Sequence, residues 1–169
     1  MKLRVPSGFL LVAAFAWLAS PTLHSLAWGM PVSLIGLAVR AWAAGHLAKN
    51  QRLANSGPYA YVRNPLYAGT LLVAAGLAIA SQRIELAILF AAVFAFIYLP
   101  VIEQEEQHLA KLFPEFPAYA GRAPLLIPRA RITGGPGTFS LRLYLRNQEY
   151  QALLAYVTGF CFLIWKATA

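Results

Sequence analysis

The residues best suited to chemistry lie between Asn50 and Gly69, in Asn-Gln-Arg-Leu-Ala-Asn-Ser-Gly-Pro-Tyr-Ala-Tyr-Val-Arg-Asn-Pro-Leu-Tyr-Ala-Gly. Amides at Asn50, Gln51, Asn55 and Asn64 are mixed there with hydroxyls at Ser56, Tyr59, Tyr61 and Tyr67 and with Arg52 and Arg63. A second polar group follows in Glu103-Gln-Glu-Glu-Gln-His108. On a helix, Glu105 and Glu106 fall four and three residues before Leu109, so both share a side with Leu109, Leu112 and Phe113, while Glu103 turns away. A carboxylate on such a side needs a partner; the alternatives are a ligand, a structural bridge to Arg63, or simply the exposed start of a cytoplasmic helix. No nucleophile has a base beside it, which speaks against a hydrolase. No phosphate-cradling lysine loop or dinucleotide fingerprint is present either. The mixture suits a polar, zwitterionic cofactor, with carboxylates for an ammonium or ribose hydroxyls and tyrosine rings for a base. Catalysis would then be mainly the orientation of two substrates.

These groups are carried by an apolar chain. Its 169 residues, about one domain, are 59% hydrophobic and 12% charged, with a mean hydropathy of +0.57. So much apolar surface exceeds what one small soluble core hides, and lipid is the expected solvent. Five apolar runs are expected to span a membrane: Gly8 to Ala27, Met30 to Leu47, Leu66 to Ala80, Ile84 to Ile102 and Tyr150 to Trp165. The first could be read as a signal peptide, but Pro21 follows it and apolar character resumes, so a retained span is expected. Gly29 and Pro31 are taken as the start of the second, in which Arg40 is expected to snorkel to the interface, the alternative being that it lines a polar pocket. Pro100 is expected to bend the fourth. The glutamate segment continues as a helix to Phe113. Pro114 to Gly137 reads as an irregular loop against the membrane, with Arg122, Arg129 and Arg131 at headgroups. Phe139 to Gln148 reads as an amphipathic interfacial segment, with Gln148 to Gln151 in the headgroups. Gly69, Gly76 and Ala80 point to close helix packing. The fold expected is therefore all-α: a polytopic membrane helix bundle in one integral membrane domain, residues 1–169.

Fourteen Lys and Arg stand against six Glu and no Asp, a net charge of +8. The basic residues sit at the ends of apolar runs, not along one polar face, which argues against nucleic-acid binding. With the N-terminus in the cytoplasm, Lys2, Arg4, Lys49, Arg52, Arg63, Lys111, Arg122, Arg129, Arg131, Arg142 and Arg146 lie inside, and only Arg83 and Lys166 outside. The Asn50–Gly69 stretch, the glutamate helix and the proline-rich loop then share the cytoplasmic face of an integral, inner-membrane protein and can converge on one pocket. His24, His46 and His108 are scattered and Cys161 stands alone, so no metal site is expected.

Ser56-Gly57-Pro58-Tyr59-Ala60-Tyr61-Val62-Arg63-Asn64-Pro65-Leu66-Tyr67-Ala68-Gly69 resembles the S-G-P-Y-x-x-x-R-[HN]-P-x-Y-x-G motif of the isoprenylcysteine carboxyl methyltransferase and phospholipid methyltransferase families. Glu105-Glu106-Gln107-His108-Leu109, then Phe113, Phe116, Tyr119 and Pro128, is similar to their E-E-x-x-L-x-x-x-F…Y…P tail. The resemblance covers about residues 30–129, a methyltransferase-like core; residues 138–169 form an additional C-terminal helical segment. It implies an integral membrane methyltransferase that uses S-adenosyl-L-methionine in a cytoplasmic pocket and takes a lipophilic small molecule or lipid from the bilayer. By motif position, Gln51, Arg52, Leu53, Ala54, Tyr59, Asn64, Pro65, Leu66, Tyr67 and Glu105 would contact the cofactor, with Glu106 a weaker candidate; no catalytic residue is assigned. Two positions depart from the eukaryotic enzymes. Asn64 replaces a His and cannot shuttle protons, and Val101 replaces an Arg that handles the substrate carboxylate, which argues against a prenylcysteine acceptor. The competing readings are an NADPH-dependent membrane reductase of related fold and a non-catalytic membrane scaffold.

Overall fold

The computed structural model describes residues 4–128 and 137–169, with side chains from residue 8 onward. The expectations for Lys2, Arg129 and Arg131, and the Gly134-Gly135-Pro136 part of the proline-rich loop, lie outside the described residues. Helices α1 (Arg4–Leu18) and α2 (Leu23–Ala44) come first, followed by a 3₁₀ turn (Gly57–Ala60) and α3 (Pro65–Ser81). Helix α4 (Ile84–Val93) runs through a π turn (Phe94–Tyr98) into α5 (Leu99–Leu112). The short α6 (Phe116–Ala120) and α7 (Leu141–Arg146) precede the last helix, α8 (Tyr150–Thr168). No described residue lies in a strand. Among the described residues three helices are long and apolar enough to cross a membrane: α2, the continuous Ile84–Leu112 helix and α8. Gly8–Leu18 and Pro65–Ser81 are shorter apolar helices.

The first two apolar helices divide elsewhere than expected. The break falls at residues 19–22, not at Gly29, and α2 runs through Pro31. Thr22 caps α2: its hydroxyl accepts from the Ser25 amide, and the Ser25 hydroxyl accepts from the Thr22 amide. This reciprocal cap satisfies two donors that a helix start leaves open, so it fixes the boundary more firmly than a proline that a helix can absorb. Helix α1 is left with 15 residues, about 22 Å at 1.5 Å per residue.

Small residues bring α2 and α3 together. A Cβ on Gly36 would lie 2.7 Å from the Gly69 carbonyl oxygen and the Val73 nitrogen, and one on Gly29 would lie 2.7 Å from the Ala80 Cβ. Gly76 faces Ser33 in the same way. The expected packing role of Gly69, Gly76 and Ala80 is what the two helices use. Hydroxyls reinforce it: Ser25 Oγ donates to the Ala80 carbonyl at 2.8 Å and Ser33 Oγ to that of Val73 at 3.2 Å. Leu26, Leu37, Ala80, Leu86, Tyr156, Phe160 and Leu163 close a core shared by α2, α3, α4 and α8.

The fourth apolar run carries a π turn just before Pro100. Leu99 N–H reaches back to the Phe94 carbonyl, five residues earlier. Pro100 has no N–H to give and its ring crowds the preceding turn, and widening that turn relieves both problems. At one end of the molecule, Lys166 Nζ donates to the Ala16 carbonyl at 2.8 Å and Arg83 Nε to Ser20 Oγ at 2.7 Å. The Asn50–Gly69 stretch, α5, α6 and α7 gather at the other.

Candidate functional site

Two polar pairings join the Asn50–Gly69 stretch to α5. Arg63 Nε donates to Glu106 Oε1 at 2.7 Å, and Asn64 Nδ2 donates to the same oxygen at 2.8 Å. Tyr67 OH donates to Glu105 Oε2 at 3.0 Å. Both carboxylates are half-buried and Glu103 is exposed, as the helical spacing requires. Glu106 therefore takes the structural role, while Glu105 faces the tyrosine side. Arg63 also donates to the carbonyl of Ala120, the last residue of α6, at 2.6 Å, and its backbone N–H meets the Pro124 carbonyl at 2.9 Å.

Helix α6 corrects the expectation of an irregular loop from Pro114 onward. Phe116 and Tyr119 lie three residues apart, bury together with Ala123, and pack on Leu53, Leu109 and Phe113. That apolar contact is enough to order a helical turn, and Pro117 falls in its first turn, where a missing N–H costs little. Tyr119 OH then donates to the Tyr59 carbonyl at 2.8 Å. Burial pushes the Tyr119 phenol up from its ordinary pKa, with the nearby Arg63 charge opposing. Burial likewise raises Tyr59, with Tyr119, Glu149 and Glu105 adding to it. Both phenols stay neutral across the physiological range.

The structure thus brings Leu53, Tyr59, Asn64, Pro65, Leu66, Tyr67, Glu105 and Glu106 to one region. Tyr59 and Pro65 are buried, Leu53, Ala54, Leu66 and Tyr67 half-buried, and Gln51 and Arg52 exposed. Gln51 is held from another direction: with its amide oriented by its hydrogen bonds, its oxygen accepts from Arg146 Nη1 and Nη2 at 2.9 and 3.0 Å. Gly57 turns the chain with φ of +59°, and a Cβ there would lie 2.6 Å from the His46 ring, so glycine is required twice over. Among the described residues no group of three His, Cys, Asp or Glu side chains gathers that could hold a metal ion.

An apolar cleft of about 400 Å³ opens beside this region. Leu11 of α1, Ala74 and Leu77 of α3, and Phe90 and Phe94 of the α4 and π segments line it. Thr70 and Tyr98 line it too, and the Tyr98 ring meets that of Tyr67 edge-on at 6.0 Å. Tyr98 in the cleft wall is thereby linked to Glu105 by contact through Tyr67.

Residues 7–115 match the phospholipid methyltransferase family. The chain belongs to that family. Among the relatives of this phospholipid methyltransferase family member, the cobalt-zinc-cadmium resistance protein CzcN of Cupriavidus metallidurans is 35% identical over 127 residues, covering 73% of this chain and 57% of the relative. The nickel-cobalt-cadmium resistance protein NccN of Alcaligenes xylosoxydans xylosoxydans is 32% identical over 125 residues, with the same coverage, 73% and 57%. The chain therefore spans little more than half the length of these curated relatives. No solved structure matches it.

The family match stops before α6, α7 and α8, and the side chains that sequence reasoning missed are linked to those helices. Arg40 does not snorkel: Nε and Nη2 donate to Glu149 Oε1 and Oε2 at 2.6 and 3.0 Å. Glu149 is buried, while Gln148, Tyr150 and Gln151 beside it are exposed. Arg40, an ionisable group inside an apolar run, was the available signal; Glu149 stands in the polar stretch Arg146-Asn-Gln-Glu-Tyr-Gln151 and is not marked out as its partner. His46 is buried too, with Nδ1 2.9 Å from the Trp42 carbonyl and Nε2 3.3 Å from that of Gly137. Nothing in its sequence context marks it. The segment from Phe139 to Gln148 contains the short helix α7, capped by Ser140, with Leu141, Arg142, Leu145 and Arg146 exposed.

Proposed function

We propose that the protein transfers a methyl group from S-adenosyl-L-methionine to a lipophilic acceptor at the cytoplasmic face of the membrane. The observation that carries this reading is the junction of Glu105 and Tyr67 with an apolar cleft through Tyr98. The donor set fits the cofactor. One carboxylate, Glu105, suits an ammonium or ribose hydroxyls, and tyrosine rings beside it suit a base or a cationic sulfur. Glu106 is engaged by Arg63 and Asn64, so it would act on the cofactor through them. When bound, S-adenosylmethionine supplies a methyl group on a sulfonium sulfur, and the chain needs no nucleophile of its own.

In this reading Tyr59, Tyr67 and Glu105 hold the cofactor, with Asn64, Pro65 and Leu66 shaping the same wall and Gln51, Arg52, Leu53 and Ala54 its rim. The cleft admits an alkyl or prenyl tail from lipid and brings its head to Tyr98, so orientation and exclusion of water carry the rate. The neutral Asn64 amide leaves no proton shuttle at its position, which favours an acceptor that is already nucleophilic. The basic residues at this end support a cytoplasmic site. The relatives' names concern metal resistance; a methylation that alters a membrane component is compatible with such a setting.

The test is calorimetric titration of the detergent-purified chain with S-adenosylmethionine, with NADPH run in parallel. Saturable binding below millimolar concentration is expected for the first alone. Binding of NADPH alone would support the reductase reading, and no binding of either at millimolar ligand would leave the scaffold.

A further inference from the structure

Arg40 lies about one turn before the end of α2, and its guanidinium faces two other helices at once. Two nitrogens fork onto both oxygens of Glu149, which immediately precedes α8. The third, Nη1, donates to Thr70 Oγ1 and to the Leu66 carbonyl at 3.4 Å. Leu66 and Thr70 belong to the opening turns of α3, and between them stands Tyr67, whose hydroxyl meets Glu105. Asn64, directly before α3, meets Glu106. The line Glu149, Arg40, opening of α3, Glu105 and Glu106 therefore runs unbroken from the C-terminal helix to the candidate site. Glu149 is itself held on α2, because the neighbouring Asn147 amide donates to the Ala44 and Leu47 carbonyls, each at 2.9 Å.

A buried ion pair is a weak source of stability, since apolar side chains of similar volume often serve as well. What this pair supplies that an apolar pair would not is direction. A planar guanidinium with both edges occupied fixes where the α3 opening sits relative to α2 and α8. We propose that Arg40 and Glu149 are positioning residues for the methyltransferase site, through which α8, outside the family match, sets the orientation of Asn64 and Tyr67. This inference rests on the proposed cofactor reading.

The full chain in detergent tests it with Arg40→Met/Glu149→Met, which replaces the pair by apolar side chains, and with Arg40→Lys, which keeps the charge but loses the fork. Three measurements are made: melting temperature, amide hydrogen exchange of residues 64–70 without cofactor, and the Kd for S-adenosylmethionine. Expected are a melting temperature within about 5 °C of wild type, exchange about tenfold faster at residues 64–70, and a Kd about tenfold weaker in both variants. A purely structural pair would move the melting temperature and leave exchange and Kd of a folded variant at wild-type values; that result overturns the proposal. Should the double variant fail to fold, Arg40→Lys decides by the same readings. If wild type binds no S-adenosylmethionine, the proposed function fails, and unchanged exchange at residues 64–70 would still separately refute the positioning role.

Discussion

Arg63→Met should loosen α6 from the rest of the molecule. Its pair with Glu106 spans 2.7 Å, with the two side chains 21% and 18% exposed. Breaking a fully buried pair costs about 3–5 kcal/mol, and an exposed one about 0.2–1 kcal/mol. One-fifth exposure puts this pair near 2 kcal/mol, roughly midway between those limits. The charged donor to the Ala120 carbonyl adds about 1.5 kcal/mol. A loss of about 3.5 kcal/mol lowers the melting temperature by roughly 7–14 °C for a domain of this size. Circular-dichroism melts of Arg63→Met, Glu106→Gln and the double variant in detergent give the coupling energy, which should be about 1–2 kcal/mol. Hydrogen exchange should rise most at residues 113–124, which pack on Leu53 and Leu109. A melting temperature within 2 °C of wild type, or coupling near zero, would refute this account of Arg63.

Two further outcomes follow from packing and titration. Gly76→Ala places a Cβ 2.6 Å from the Ser33 nitrogen, so α2 and α3 must part; a melting temperature about 3–10 °C lower is expected, and an unchanged one would contradict the close approach. Burial holds the Tyr59 and Tyr119 phenols above the ordinary tyrosine value of 10.0. Above about pH 10 the unfolded state therefore releases protons that the native state keeps. That contribution to stability is complete below this pH and is lost as pH rises beyond it. Melting temperature should stay level from about pH 7 to 9 and fall above about 10, with Tyr119→Phe softening the fall.

Local patterns in the sequence were reliable wherever one element alone sets the outcome. Helical spacing put Glu105 and Glu106 together and turned Glu103 away, and the glycines of α3 announced its packing. Legibility ended where partners come from far along the chain. Arg40 read as a snorkelling residue because Glu149, its partner, lies 109 residues away. The α1–α2 break was misread because Pro31 is conspicuous, whereas the Thr22–Ser25 cap lacks the usual acidic third position. Helix α6 was hidden among prolines, since its order comes from burying Phe116 and Tyr119 against Leu53 and Leu109. His46 gains its role from Gly57 and Gly137, neither adjacent in sequence.

The claim that Glu105, Tyr67 and the cleft make one methyl-transfer site is tested most directly by following the methyl group. The protein is reconstituted in vesicles of bacterial lipid extract, supplied with methyl-labelled S-adenosylmethionine, and label in the organic phase is counted for wild type and Glu105→Gln. The account predicts label in the organic phase with wild type and at least about a tenfold loss with Glu105→Gln, the equivalent of about 1.4 kcal/mol. Equal labelling by the two proteins, or none by a wild-type protein that binds the cofactor, would contradict it.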